Sequence, residues 1–157
     1  MAPSLVLLMR HGEKPADPDD PHLSKEGMRR AERLATYIPE TFGDSQLLFA
    51  SAISKRSARP YETLQPLSRK LSIPIDAAYP DQDYAALAAK LLVDHRYAGQ
   101  RIAIAWHHGH IPSFASALGA PKGQYPDPWG PLVFDLILKF AWPAANRPVV
   151  TMLTQPF

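Results

Sequence analysis

The chain alternates between short apolar runs and longer segments in which apolar residues recur every three or four positions. Three apolar runs, at residues 4–9, 47–50 and 101–106, are typical of strands buried on both faces, as in a parallel sheet. Helical spacing predicts amphipathic helices at residues 24–38, 60–71, 84–92 and 112–118. This alternation predicts an α/β fold, a three-layer sandwich with a mainly parallel central sheet.

The end of the chain has a different pattern. Residues 132–140 and 148–153 are predicted to form a closing hairpin, which would add an antiparallel edge to the sheet, and residues 72–75 are a candidate for a further short strand. We find no linker and no internal repeat, so residues 1–157 are predicted to form a single domain. In such sheets, ligands bind outside the carboxyl ends of the strands.

Composition narrows the class of protein. The sequence has no cysteine, which excludes disulfides and thiolate metal sites, and no apolar run approaches the length of a membrane span. Its start lacks the basic segment and cleavage site of a signal peptide, so we expect a mature, cytoplasmic protein without a membrane partner. The net charge of +2 is too small to indicate nucleic acid, but it is compatible with an anionic substrate.

Polar clusters follow the three apolar strands. Arg10 and His11 come after the first strand, residues 51–59 after the second, and residues 107–110 after the third. Because the carboxyl ends of parallel strands meet at one edge of a sheet, these clusters are expected to converge on one crevice. Guanidinium groups bind phosphoryl oxygens in bidentate fashion, and a neutral imidazole nitrogen can attack phosphorus in line. The crevice is therefore predicted to bind a phosphoryl group, and an acid is still needed to protonate a leaving alkoxide.

Four segments carry a resemblance to a known family. "MRHGEK", "HLSKEGMRRAERLATYI", "SAISKRSARPYETLQPLSRKL" and "AIAWHHGHI" resemble, in this order, motifs of the histidine phosphatase superfamily, which has a phosphoglycerate-mutase-like fold. Outside the first motif, the matching positions are Leu23, Ser24, Gly27, Arg59, Thr63, His108 and Gly109. The resemblance covers most of residues 4–119, and the short chain has no insertion long enough to cap the site. It is most similar to the short branch that includes phosphohistidine phosphatases.

The resemblance implies a mechanism and a set of site residues. His11 is implied to be the nucleophile, which forms a transient phosphohistidine that water hydrolyses, while Arg10, Arg59 and His108 are implied to form the rest of the phosphate pocket. Arg56 lies three residues before Arg59 and is the alternative for the second arginine. The implied activity is a phosphatase rather than a mutase, acting without a metal or organic cofactor on a small phosphorylated molecule or a phosphoprotein.

The general acid and the neighbouring histidines are less well defined by the sequence. Asp83 is the best positional candidate for the acid, although it could equally be the N-cap of a helix. Asp81 is the next candidate, and Glu13 lies close to the nucleophile in sequence. His107 is expected to contact backbone or solvent, and His110 is a candidate for the rim of the pocket.

Two other functions are compatible with the same residues. A non-catalytic module that binds phosphate or a phosphopeptide would need no acid. A metal site could be built from His107, His108 and His110 with a carboxylate, but it would leave Arg10 and Arg59 unexplained.

Overall fold

A six-stranded sheet forms the middle layer of the molecule. The computed structural model describes residues 2–144 and 146–157. The strands are β1 (Leu5–Arg10), β2 (Leu47–Ala50), β3 (Ile75–Asp76), β4 (Arg101–Trp106), β5 (Leu136–Ala144) and β6 (Arg147–Thr154). They lie in the order β3-β2-β4-β1-β5-β6. The first four strands are parallel to one another, and β5 is antiparallel to both of its neighbours, β1 and β6.

Helices cover both faces of this sheet. They are α1 (Lys25–Phe42), α2 (Arg59–Leu71), α3 (Tyr84–Val93) and α4 (Ile111–Ala117), with 3₁₀ turns at Asp81–Asp83 and His95–Tyr97. Helices α1 and α2 pack on one face, and α3 and α4 pack on the other. The predicted three-layer α/β sandwich with an antiparallel edge is therefore confirmed. Within residues 2–144 and 146–157, no helix has the length and apolarity needed to cross a membrane.

The uninterrupted apolar pattern of β1 follows from burial on both faces. Val6 and Leu8 belong to the core beneath α3 and α4, whereas Leu7 and Met9 belong to the core beneath α1 and α2. None of the four side chains is more than 1% exposed. A strand with solvent on one face would alternate apolar and polar residues instead.

Helix α1 begins where its capping residue predicts. The Oγ atom of Ser24 accepts a hydrogen bond from the backbone N–H of Gly27 at 3.1 Å, which satisfies one of the free donors at the helix start. Ala31, Leu34 and Ile38 then form the buried face that the spacing predicts.

The last part of the chain departs from the prediction. Strand β5 begins at Leu136 rather than at residue 132, because the preceding residues form an irregular segment at the edge of the sheet. In this segment Leu132 is 87% exposed, and the carbonyl oxygen of Val133 accepts a hydrogen bond from Nε1 of Trp129 at 3.0 Å. The candidate strand at 72–75 overlaps the observed β3 (Ile75–Asp76) only at Ile75.

Candidate active site

Three parallel strands end at the same edge of the sheet. In the register of the sheet, Arg10 pairs with Trp106 and Ala50 pairs with Ala105. The ladder continues one residue further, since the N–H of His11 donates to the carbonyl oxygen of Trp106 at 3.1 Å. The polar residues that follow β1, β2 and β4 are thus brought together, as the sequence predicts.

A cleft of about 710 Å³ opens at this edge. Its charged and titratable lining residues are His11, Lys14, Arg56, Arg59, Asp81, His107, His108 and His110. The cationic side chains outnumber the single carboxylate, so the cleft favours an anionic ligand.

His11 is buried and held in one tautomer. The residue is only 2% exposed, and its Nδ1 atom lies 2.6 Å from the carbonyl oxygen of Gly12. A carbonyl can only accept, so Nδ1 carries the hydrogen and the lone pair of the neutral ring lies on Nε2. Burial lowers the pKa of His11 to about 2; the Gly12 carbonyl opposes this shift, and the charges of His107, Arg10 and Arg59 add to it. The ring is therefore neutral at ordinary pH, with a free lone pair on Nε2.

Arg10 is fixed by the segment that precedes β5. Its Nη1 donates to the carbonyl oxygen of Pro131 at 2.7 Å, and its guanidinium carbon lies 3.9 Å from the centroid of the Phe134 ring. Its Nε is buried without a hydrogen-bond partner among the described residues. Burial, followed by the charge of Arg59, lowers the pKa of Arg10 to about 10, and Glu13 partly opposes the shift.

Arg59 is presented in a similar way from the start of α2. Its Nη1 donates to the carbonyl oxygen of Asp20 at 2.8 Å, while its Nε is buried and unpartnered in the described part of the chain. Burial lowers its pKa, and the charges of Asp20 and Glu62 oppose that effect. Neither Arg59 nor Arg10 forms an ion pair with any carboxylate of residues 2–144 and 146–157. Each guanidinium thus has a buried Nε donor without a described partner, and of the two arginines only Arg59 is among the residues that line the cleft.

Close backbone contacts join the two arginine-bearing segments. The Oγ1 of Thr63 accepts from the N–H of Gly12 at 2.9 Å and donates to the carbonyl oxygen of Arg59 at 2.7 Å. A Cβ atom on Gly12 would lie 2.9 Å from the carbonyl oxygen of Gly27, and one on Gly27 would lie 2.5 Å from that of Glu13. The motif glycines and threonine therefore set the distance between β1, α1 and α2.

Both His107 and His108 line the cleft, and it is His107 whose ring packs against that of His11. His107 directly follows Trp106 in β4, just as His11 follows Arg10 in β1, and the two imidazole centroids are 5.2 Å apart. His108 lies one residue further along the cleft wall. The sequence prediction relied on the glycine after His108, whereas the register of two adjacent strands would have selected His107.

The charges of the site act on both of these histidines. Burial lowers the pKa of His107, and Asp81 opposes that shift. The pKa of His108 is also lowered, by burial first and then by Arg10 and Lys14. Lys14 was not among the predicted site residues, and burial together with the charges of Arg10 and Arg59 lowers its pKa as well.

The comparisons with known proteins place this geometry in a fold family. Scans of protein-family models and of curated proteins found no match. Among solved structures, the protein histidine phosphatase SixA complexed with tungstate has a TM-score of 0.68 at 14% identity, covering 96% of both chains. A mycobacterial glucosyl-3-phosphoglycerate phosphatase complexed with inorganic phosphate has a TM-score of 0.62 at 12% identity, covering 98% of this chain and 97% of the other. Phosphoglycerate mutase from Plasmodium falciparum has a TM-score of 0.52 at 15% identity, covering 98% and 89%.

The chain has the histidine phosphatase fold. The resemblance that the four motifs predict is therefore confirmed at the level of the fold, including its phosphoglycerate-mutase-like character. Three of the four motifs lie at a strand end that contributes to the cleft, and the second forms most of α1.

Within this histidine phosphatase fold, the three candidate acids occupy different surroundings. Both carboxylate oxygens of Glu13 accept from Arg30, at 2.8 and 2.9 Å. Burial raises the pKa of Glu13, but the hydrogen bonds from Arg30 outweigh it and leave a pKa below the usual value. Asp83 is exposed just before α3 and does not line the cleft, whereas Asp81 does. Asp81 and Asp83 are the first and last residues of the 3₁₀ turn, and of the two only Asp81 lies in the cleft wall.

The histidines do not form a recognisable metal site. Among residues 2–144 and 146–157, no three side chains of the metal-binding types are close enough together to hold an ion. The metal site weighed from His107, His108 and His110 therefore lacks a ligand set in the described structure.

Proposed function

We propose that this protein is a phosphatase that hydrolyses a phosphomonoester or a phosphoramidate through a phosphohistidine at His11. The observation that carries the proposal is the fixed tautomer of His11, whose Nδ1–H is bound to the Gly12 carbonyl oxygen at 2.6 Å and whose Nε2 keeps the lone pair. Such a ring is a nucleophile that needs no separate base to remove a proton.

The residues around His11 suit the transferred group. A phosphoryl-transfer transition state spreads negative charge over its equatorial oxygens, and fixed donors around them lower the barrier. Arg10 and Arg59 each have one nitrogen bound to a backbone carbonyl and a buried, unpartnered Nε, so they are held in place before the substrate binds. His107 is proposed to donate to the same group, in the role that the sequence resemblance gives to His108.

The reaction divides into two displacements at phosphorus. In the first, the Nε2 lone pair of His11 forms an N–P bond as the bond to the leaving oxygen or nitrogen breaks, and the leaving atom keeps the electron pair and takes up a proton. In the second, water attacks the phosphohistidine, the N–P bond breaks, and phosphate leaves with His11 restored. Neither displacement requires a metal ion or an organic cofactor.

Asp81 is proposed as the acid that supplies the proton for an oxygen leaving group. It lines the cleft with His11, and its charge acts on His107 and His108. Asp83 and Glu13 are set aside, because the first lies outside the cleft lining and the second is bound by Arg30.

A phosphatase is favoured over a mutase, and the substrate is proposed to be a small phosphorylated molecule or a phosphoprotein. A mutase must retain and reorient a phosphorylated intermediate, whereas the cleft-lining segment between β2 and α2 consists only of residues 51–58. Two of the similar structures named above are phosphatases, and one of them is a protein histidine phosphatase.

The test is a quenched reaction with a radiolabelled phosphoester and, separately, a labelled phosphoramidate. We expect acid-labile, base-stable label on the wild-type protein and none on His11→Ala. His95→Ala is the matched control, because His95 is exposed and does not line the cleft. It should carry the same label as the wild type.

Two outcomes would overturn the proposal. Turnover that persists in His11→Ala would exclude the phosphohistidine route. Saturable phosphate binding without label or hydrolysis, with both donors, would instead establish a non-catalytic module that binds phosphate or phosphopeptides.

A further inference from the structure

A carboxylate–imidazole pair forms part of the cleft wall. The Oδ2 atom of Asp81 lies 2.9 Å from the Nδ1 atom of His110, and both side chains are partly buried. Asp81 opens the 3₁₀ turn before α3, and His110 directly precedes α4. Two segments distant in sequence thus meet at the cleft, and no motif of the sequence analysis accounts for their contact.

Both members of the pair are held from behind. The backbone oxygen of Asp81 accepts from Nε1 of Trp106, the last residue of β4, at 3.0 Å. The ring of His110 stacks on that of Tyr84, with centroids 5.4 Å apart and planes at 27°. The pair is therefore anchored to the same strand end that delivers His107.

Two polar atoms of the pair lack an aligned partner. The Oδ1 of Asp81 is buried without a hydrogen bond to any described residue. The contact between Oδ2 and Nδ1 has the distance of an ion pair but not the alignment of a hydrogen bond, which leaves Nδ1 of His110 unsatisfied too. Buried polar atoms in folded proteins are normally paired, and unpaired ones mark places where chemistry or a ligand acts.

The charge of Asp81 also reaches the reacting histidines. It opposes the burial that lowers the pKa of His107, and it has the same effect on His108. The ring of His107 in turn packs against that of His11, with centroids 5.2 Å apart, and Asp81 and His11 line the same cleft.

We propose that His110 is a positioning residue for Asp81, and that this pair adapts the site to phosphomonoesters of unactivated alcohols. The inference rests on the proposed phosphatase function and names its substrate class. An alkoxide is a poor leaving group and needs a proton as it departs, whereas an aryl oxide or a protonated P–N nitrogen leaves without a strong acid. A site for phosphoramidates alone would have no use for the pair.

The proton balance is as follows. Before transfer, the Asp81–His110 pair carries one proton in addition to those of a carboxylate and a neutral imidazole. As the P–O bond breaks, Asp81 gives this proton to the leaving oxygen, and the N–H at Nδ1 of His110 then stabilises the carboxylate that remains. In the second step, Asp81 takes a proton from the attacking water, which restores the pair as phosphate leaves.

The experiment compares leaving groups in variants that separate the two features of His110. His110→Phe keeps an aromatic ring against Tyr84 but removes the nitrogen, while His110→Asn keeps a donor where Nδ1 lies but removes the ring. For each, kcat and KM are measured with β-glycerol phosphate, p-nitrophenyl phosphate and phosphoramidate. We expect His110→Phe to lower kcat for the alkyl ester at least about tenfold, with little change in KM. The kcat values for the aryl ester and phosphoramidate should change less than about threefold. We expect His110→Asn to recover most of the loss.

Asp81→Asn serves as the second variant. It should show the same selectivity with a larger loss on the alkyl ester, of about 10²- to 10⁴-fold. His95→Phe makes the same substitution at an exposed histidine outside the cleft and should leave all three substrates unchanged.

The outcomes separate this inference from the proposed function. Equal losses on all three substrates, or no recovery in His110→Asn, would overturn the positioning role and leave the phosphohistidine route intact. Hydrolysis of phosphoramidate without measurable alkyl-ester turnover in the wild type would overturn the substrate class. Absence of label on the wild-type protein would instead contradict the proposed function, on which this inference rests.

Discussion

At the scale of single residues, the contact between the rings of His11 and His107 distinguishes two histidines that are neighbours in sequence. His107 lies against the ring of His11, with centroids 5.2 Å apart, and it is in turn subject to the charges of Arg59 and Arg10. His108 also lies in the cleft wall, but the described histidine ring contact of His11 is with His107. The two histidines are adjacent in sequence, yet the structure predicts unequal roles for them.

We expect His107→Ala to weaken inorganic phosphate binding by about 10- to 100-fold, since a hydrogen bond to a charged group contributes about 1.5–3 kcal/mol. His108→Ala should weaken it by less than about threefold, because a more exposed side chain competes with water for the anion. Titration calorimetry of both variants with phosphate provides the comparison. If His108→Ala has the larger effect, the sequence prediction was right about the role despite the geometry.

The residues whose convergence could be predicted from the sequence are those whose position follows from the end of a strand or the start of a helix. Arg10 and His11 follow the first apolar run, and Arg59 precedes a helical pattern, so their meeting could be predicted. His107 and Asp81 were harder to select. Choosing between neighbours one or two positions apart requires the strand register and the path of a 3₁₀ turn, which periodicity does not determine.

Between elements, the contact of β1 with α1 depends on two glycines. A Cβ on Gly27 would lie 2.5 Å from the backbone oxygen of Glu13, a distance that real Cβ atoms do not adopt. Replacing glycine by alanine inside a helix ordinarily adds stability, by roughly 1 kcal/mol. We expect Gly27→Ala to lower the free energy of unfolding by about 1–3 kcal/mol instead, because backbone must shift to make room. Urea unfolding measures the change.

Gly109→Ala is the matched control for this prediction. A Cβ at Gly109 would meet nothing within 4 Å, and its backbone does not require glycine. Its stability should stay within about 0.5 kcal/mol of the wild type. A stable Gly27→Ala protein would show that β1 and α1 tolerate separation, and the motif glycine would then need another explanation.

The path of the segment between α4 and β5 could not be predicted from the pattern of helices and strands. Its prolines and lack of periodicity gave no basis for its path, and part of it was predicted to be strand. In the structure, Pro131 and Phe134 hold the guanidinium of Arg10, which lies 121 residues before Pro131. The strands and helices themselves followed from local periodicity, whereas this contact arises only once the sheet has assembled.

For the molecule as a whole, the site makes stability depend on pH. His11 has a pKa of about 2 in the folded protein, against an ordinary value of 6.5 that applies to the unfolded chain. As the pH falls below 6.5, the unfolded chain takes up a proton that the folded protein does not, so its contribution to stability is complete above that pH and declines below it. The lowered pKa of His107 acts in the same direction.

We therefore expect the free energy of unfolding to fall by about 1.4 kcal/mol per pH unit for His11 alone, or about 2 kcal/mol between about pH 6.5 and about pH 5. Urea unfolding across this range tests the prediction and avoids the lower pH at which Glu13 and other carboxylates take up protons. His11→Asn should flatten the dependence by that amount, because the asparagine amide can still donate to Gly12 without titrating. His95→Asn should leave the slope as in the wild type, since that histidine is exposed. An unchanged slope in His11→Asn would show that His11 becomes protonated in the folded protein, and its assignment as a permanently neutral nucleophile would then fail.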